Sequence, residues 1–276
     1  MSEKNTPEDA AALAVAFGDY WDGEYRAVSV DEHTRARSLF LALFDDCNST
    51  EAATLVKTLG FASRWFDTPH GRVRLVHEAT GARFGRGVFA FRETASTTIL
   101  QAPHTRNDPW TGKLSGEWMA NHDFRAAAWN TVGRNAGDGA DLARARRSYF
   151  VAMADAAVDI LDVPSVIQVH GFSTDRRTTE AGRRSAAIVS GGCEQPASAT
   201  RNIAKRLGER LDGVRLYPED VLELGATGNP VGRRLRQREA GAFTHLEFSR
   251  PLRENLRDDR ELNHWVGSAL LMGSLS

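Results

Sequence analysis

At 276 residues the chain is long enough for one large α/β domain or two small ones, and its 41% hydrophobic and 26% charged residues exclude a disordered or fibrous chain. The net charge of −1 gives no general affinity for nucleic acid or an anionic membrane. Cys47 and Cys193 lie far apart without a CxxC pattern, so both read as reduced packing residues rather than a disulfide or thiolate zinc site.

No run approaches the roughly 18 apolar residues of a membrane span, and MSEKNTPEDAAALAV lacks a basic region followed by an apolar core, so a cytoplasmic location is expected. Thr6, Pro7, Glu8 and Asp9 look like a helix start, and EHTRARSLFLALFDD carries a second helical pattern. Residues 1–70 are therefore expected to form a helical extension packed on a catalytic domain of residues 71–276. RVRLVHEA, GVFAFRE and TTILQAPH read as three successive strands. Helical patterns run from about Ser115 to Thr131 and from Asp141 to Leu161. SVIQVHGF and SAAIVSGG read as strands, SATRNIAKRLGERL as a helix capped by Ser198, and VRLYPED as a short strand. GATGNPVGRRLRQREAG reads as a Gly- and Arg-rich connection, FTHLEFS as a strand, and PLRENLRDDRELNHWVGSALLMG as one long helix with Pro251 at its start. The alternation predicts a three-layer α/β/α domain with a mostly parallel mixed central sheet and an N-terminal helical cap.

Two of these runs end in histidine, His104 and His170, at the strand exits where open α/β sheets bind ligands. A catalytic zinc takes three ligands from His and carboxylate and keeps one position open. His104, Asp108 and His170 supply that set, with Glu117 or His122 as alternatives to Asp108. Glu247, set between Leu246 and Phe248, is the candidate general acid and base, because partial burial raises a carboxyl towards the useful range.

This succession resembles zinc carboxypeptidases, in which the late segment has the form Thr, any residue, Glu, Leu, Arg, and THLEFSR near the end looks like a variant of that form. Those enzymes place two residues between the first His and its acidic partner, whereas HTRND places three and uses Asp. The longer spacing is more similar to N-formylglutamate amidohydrolases and phage poly-γ-glutamate hydrolases, which share the zinc exopeptidase fold. The resemblance covers roughly Arg72 to Leu256. It implies Zn2+ held by His104, Asp108 and His170, with Glu247 moving the proton. It also implies Arg and Asn side chains on a substrate carboxylate, for which Asn130, Arg134, Asn229 and Arg233 are candidates. Arg250, three residues past Glu247, is a candidate for holding the carboxylate or polarising the scissile carbonyl.

TGNPVGRR lacks the order of a phosphate-binding loop, GRGVFAF lacks the context of a dinucleotide fingerprint, and Ser173 and Ser190 lack a GxSxG elbow. The expected function is zinc-dependent hydrolysis of an amide bond in a carboxylate-bearing peptide-like or N-acyl amino acid substrate. Partners are then a small molecule or peptide, with no nucleic acid and no membrane. The rival readings are a non-catalytic binder of acidic peptides on the same scaffold and a metal-dependent phosphoesterase.

Overall fold

Helices come first in the chain: α1 (Pro7–Ala16), α2 (Val30–Asp45) and α3 (Thr50–Thr58). Ser29 and Ser49 start the latter two by accepting the N–H groups of Glu32 and Ala52. The computed structural model describes residues 7–16, 24–81 and 83–275, so Thr6, expected to begin the first helix, lies outside the described residues.

Strands β1 (Phe61–Thr68) and β2 (Gly71–Glu78) form an antiparallel hairpin, followed by β3 (Val88–Arg92) and β4 (Thr98–Ala102). The sequence assigns no strand to Phe61–Thr68, whose exposed Ser63 and Arg64 dilute its apolar signal. Next come α4 (Thr111–Asn121), β5 (Ala126–Trp129), α5 (Tyr149–Ile160) and β6 (Ser165–Phe172). Helix is expected through to Thr131, yet Ala126–Trp129 is a strand buried on both faces. Three alanines read as helix by propensity, and pairing on both sides overrides that preference. Helix α5 begins at Tyr149 on the cap Ser148, eight residues later than its sequence pattern suggests.

A short helix α6 (Glu180–Arg184) leads to β7 (Ala187–Ser190), α7 (Ser198–Leu207) and β8 (Val214–Tyr217). Ser198 is the first helical residue of α7 and Ala197 the cap position. The Gly- and Arg-rich stretch is no mere connection, because Pro230–Gln237 forms α8. Asn229 caps it, accepting from Val231 N–H at 3.0 Å, and Pro230 occupies the first turn, where its missing N–H costs nothing. β9 (Ala242–Ser249) follows, and the terminal helical stretch divides into α9 (Arg250–Asp258) and α10 (Arg260–Ser274). The break falls at Asp259, whose carboxylate accepts the Leu262 N–H and starts the second helix.

Among the described residues nine strands form one mixed sheet in the order β1-β2-β3-β5-β4-β6-β9-β7-β8. Its centre, β5-β4-β6-β9, is parallel, and β1-β2-β3 extends it antiparallel on one side. Leu114, Trp118, Ile203, Leu256 and Leu270 cover one face, packed on Leu100, Ile167 and Leu246. Leu39, Phe40, Phe150, Met153 and Leu235 cover the other, packed on Phe89, Ile99 and Val166. Helices on both faces leave only the strand ends open for a ligand. No helix among the described residues is long and apolar enough to cross a membrane.

Candidate metal centre and active site

β4, β6 and β9 are adjacent and parallel, so the segments at their carboxyl ends emerge side by side. β4 pairs with β5 on one flank and β6 on the other, reversing the chain order around it. Ligand crevices in open α/β sheets form at such a reversal.

His104 lies two residues beyond β4. The N–H of Asp108 donates to the His104 carbonyl at 2.7 Å, closing one helical turn that brings both side chains to the same side. That turn is braced from behind by Asn130, whose amide donates to the Pro103 carbonyl at 3.0 Å. His170 sits in β6 and Glu247 in β9 as register partners. Glu247 is only 7% exposed, on a strand between β6 and β7 rather than at a sheet edge.

The ligand atoms of His104, Asp108 and His170 lie within 4.8 Å of one another, and all three residues are buried. Asp108 Oδ2 is 3.6 Å from His104 Nδ1 and 3.5 Å from His170 Nδ1. These separations are longer than good hydrogen bonds, and they resemble the roughly 3.3 Å between two atoms each bonded to one tetrahedral zinc at about 2.05 Å. The donor set of two imidazoles and one carboxylate, converging without a close hydrogen bond, fits a divalent cation. Glu117 and His122 do not join this group. Glu117 pairs with Lys113 at 3.7 Å and with Asn263, while His122 packs against the tilted His264 ring with centroids 4.5 Å apart.

Asp141 and His245, absent from the sequence-derived set, also stand at the group. Asp141 Oδ1 lies 2.8 Å from His104 Nε2, on the ring edge away from Asp108, an arrangement that fixes the orientation of a metal-binding imidazole. It arrives from the long β5–α5 loop, so no local spacing announces it. His245 stands two residues before Glu247 and therefore on the same face of β9. Its Nε2 is 3.2 Å from Glu247 Oε1, and its ring centroid is 4.4 Å from that of His170. The two-residue strand period was the signal for it.

Burial alone would lower the His104 imidazole, but the carboxylates of Asp108 and Asp141 outweigh it and push it up to about 9. Burial likewise favours the neutral form of Asp108, yet the two facing imidazoles hold its carboxyl well below the usual carboxylate range. His170 is pushed down to about 4, first by burial and then by the neighbouring His245 imidazole.

A cavity of about 880 Å³ opens over the group, lined by His104, Asp108, Asp141, His170, His245 and Glu247 and by several arginines, Arg134 and Arg233 among them. A smaller one of about 480 Å³ adjoins it and shares Asp108, Arg134 and Glu247. Arg134 is therefore placed in both, and Arg233 reaches the larger from α8. Asn229 lines the larger cavity, but its amide is already committed to Gln168 Oε1 at 2.6 Å and to the helix cap. Asn130 is fully buried and faces neither cavity; its amide supports the His104 turn. Arg250 reaches only the smaller cavity, with its side chain 69% exposed and paired to Glu254 at 3.0 Å.

Arg253, absent from the sequence-derived set, is buried beside the group. Its guanidinium donates to the carbonyls of Pro109 at 2.9 Å, Phe248 at 3.2 Å and Phe172 at 3.4 Å. It thereby ties together the loop after Asp108 and the ends of β6 and β9.

No protein-family profile and no curated protein sequence matches the chain. Among solved structures it is similar to a bacteriophage poly-γ-glutamate hydrolase, at 14% identity and TM-score 0.38 over 67% of this chain and 86% of that one. It is also similar to an N-formylglutamate amidohydrolase from Ralstonia eutropha JMP134, at 11% identity and TM-score 0.42 over 69% and 96% of the two chains. A candidate carboxypeptidase from Burkholderia mallei ATCC 23344 matches at 14% identity and TM-score 0.40 over 84% and 68%. All three bear names of the groups that the sequence resembles.

Proposed function

We propose that the chain is a zinc-dependent hydrolase that cleaves an amide bond in a carboxylate-bearing peptide-like or N-acyl amino acid substrate. The observation that carries this reading is the convergence of His104, Asp108 and His170 on one point, with Glu247 on the neighbouring strand and in register with His170. A zinc ion held by His104, Asp108 and His170 would supply Lewis acidity towards the scissile carbonyl. Asp141 holds the His104 ring so that its Nδ1 faces the same point as Asp108. Glu247 takes a proton from the attacking water as the new C–O bond forms, then passes it to the amine nitrogen as the C–N bond breaks. Arg134 and Arg233 line the cavity where a substrate carboxylate would lie, and a guanidinium matches a carboxylate in a two-pronged hydrogen bond.

The test is turnover of N-acyl amino acids and γ-linked glutamyl peptides by the zinc-loaded protein, with phosphate monoesters and diesters assayed in parallel. Amide cleavage that Glu247→Gln abolishes while keeping its metal supports the reading. Phosphate release without amide cleavage assigns the site to phosphoesterase chemistry instead. Tight binding of acidic peptides without turnover assigns it to a binding protein.

A further inference from the structure

The histidine at position 245 has no role in the chemistry just described, yet it is buried, 6% exposed, inside the same cavity wall. Its neighbours across the sheet are Gln168 on β6 and Ser190 on β7. Both are committed elsewhere: the Gln168 amide donates to Gln101 and accepts from Asn229, and the Ser190 hydroxyl donates to the Gly225 carbonyl. Among the described residues Glu247 Oε1, at 3.2 Å from Nε2, is thus the hydrogen-bonding partner that the imidazole has, and its Nδ1 is buried with none.

This pattern decides the tautomer. A neutral imidazole carries one N–H. On Nδ1 that proton would be a buried donor with nothing to bind, and the bare Nε2 would face a carboxylate oxygen, lone pair against lone pair. On Nε2 it makes a charge-assisted hydrogen bond to Glu247 and leaves only a bare acceptor at Nδ1. The second carboxylate oxygen, Glu247 Oε2, is buried without a partner among the described residues.

We propose that His245 is a positioning residue that donates Nε2–H to Glu247 Oε1, fixes the carboxylate's rotation, and so reserves Oε2 as the atom that accepts and returns the proton. The proposal rests on the assignment of Glu247 as general base. It divides the two oxygens into a held one and a working one. A carboxylate without such a donor turns about its terminal bond, where rotamer preferences are broad, and presents the working oxygen only part of the time.

The test uses full-length protein, His245→Leu, and His245→Gln, whose Nε2 can donate in place of the imidazole. In wild-type protein labelled with 15N-histidine, long-range NMR should show His245 protonated on Nε2, and the resonance should move in Glu247→Gln. Protonation on Nδ1 overturns the proposal whatever the activity. His245→Leu should keep stoichiometric zinc and an unchanged KM while kcat falls by about 10- to 100-fold, within the range of a general acid–base contribution. His245→Gln should recover most of that loss. Wild-type kcat in His245→Leu, or loss of its zinc, refutes a role exerted through Glu247. No turnover by any zinc-loaded protein removes the proposed function and with it the positioning role, while the tautomer still decides the hydrogen bond.

Discussion

Replacing Gly171 by alanine probes how the fold holds the site. Gly171 follows His170 in β6, and an added Cβ would fall on the Arg253 guanidinium, 2.5 Å from Nη1 and 2.6 Å from Nε. Ordinary contact requires about 3.5 Å, so the guanidinium must move by roughly 1 Å. It is only 4% exposed and pinned by three backbone carbonyls, so moving it weakens hydrogen bonds made by a charged donor. Overpacking costs about 1–3 kcal/mol and one impaired charged hydrogen bond about 1.5–3 kcal/mol. With partial relaxation, Gly171→Ala should lose about 2–4 kcal/mol of stability. The assay is urea unfolding of metal-free protein, read as a shift in midpoint at constant slope. Because Arg253 also holds the Pro109 carbonyl next to Asp108, zinc affinity should fall as well. Arg253→Leu removes the obstacle, so the double variant should be less destabilised than the sum of the singles by about 1–3 kcal/mol. A wild-type midpoint in Gly171→Ala, or strict additivity in the cycle, refutes the reasoning.

Asp141→Asn should weaken zinc binding by about 10- to 100-fold, as loss of a carboxylate behind a ligating histidine does; competition with a chromophoric chelator measures it, and unchanged affinity removes Asp141 from the site. Asn229→Ala should cost about 2 kcal/mol through the lost helix cap and the orphaned Gln168 carbonyl oxygen, with KM unaltered; a large rise in KM at unchanged stability would restore Asn229 as a substrate contact. At the other end of α4, burial first, then His264, His70 and Arg92, push the His122 imidazole down from 6.5 to about 4. Above 6.5 it is neutral folded or unfolded and contributes nothing. Between 6.5 and 4 only the unfolded chain takes up the proton, so stability falls as the pH falls, by up to about 1.4 kcal/mol per unit. His122→Gln should flatten that acid limb in unfolding curves measured from pH 7 to pH 4, and an unchanged slope would show that His122 does not drive it.

The strands carrying the candidate ligands are legible because they are buried on both faces, which favours runs rich in β-branched residues, TTIL and SVIQV. Their order in the sheet is not written in any local pattern, yet it alone makes His104, His170 and Glu247 neighbours. β5 is hidden for the opposite reason: space between β3 and β4 admits alanines, which carry no strand signal. Helix α8 has only Val231 and Leu235 as its apolar stripe, so its arginines dominate the reading even though Asn229 and Pro230 form an N-terminal signature. At the site, Asp108 is legible because it acts within one turn of His104. Asp141, 37 residues beyond that histidine, acts through a loop whose path only the fold determines. His245 was within reach, since any residue two positions from Glu247 on a strand must share its face.

The central claim is tested most directly by the zinc content of purified wild-type, His104→Ala and His170→Ala proteins, measured by elemental analysis after equilibration with zinc and removal of excess. Stoichiometric zinc in the wild type and its loss in both variants is the expected result. Retention of zinc by both folded variants would contradict the assignment of His104, Asp108 and His170 as the metal centre.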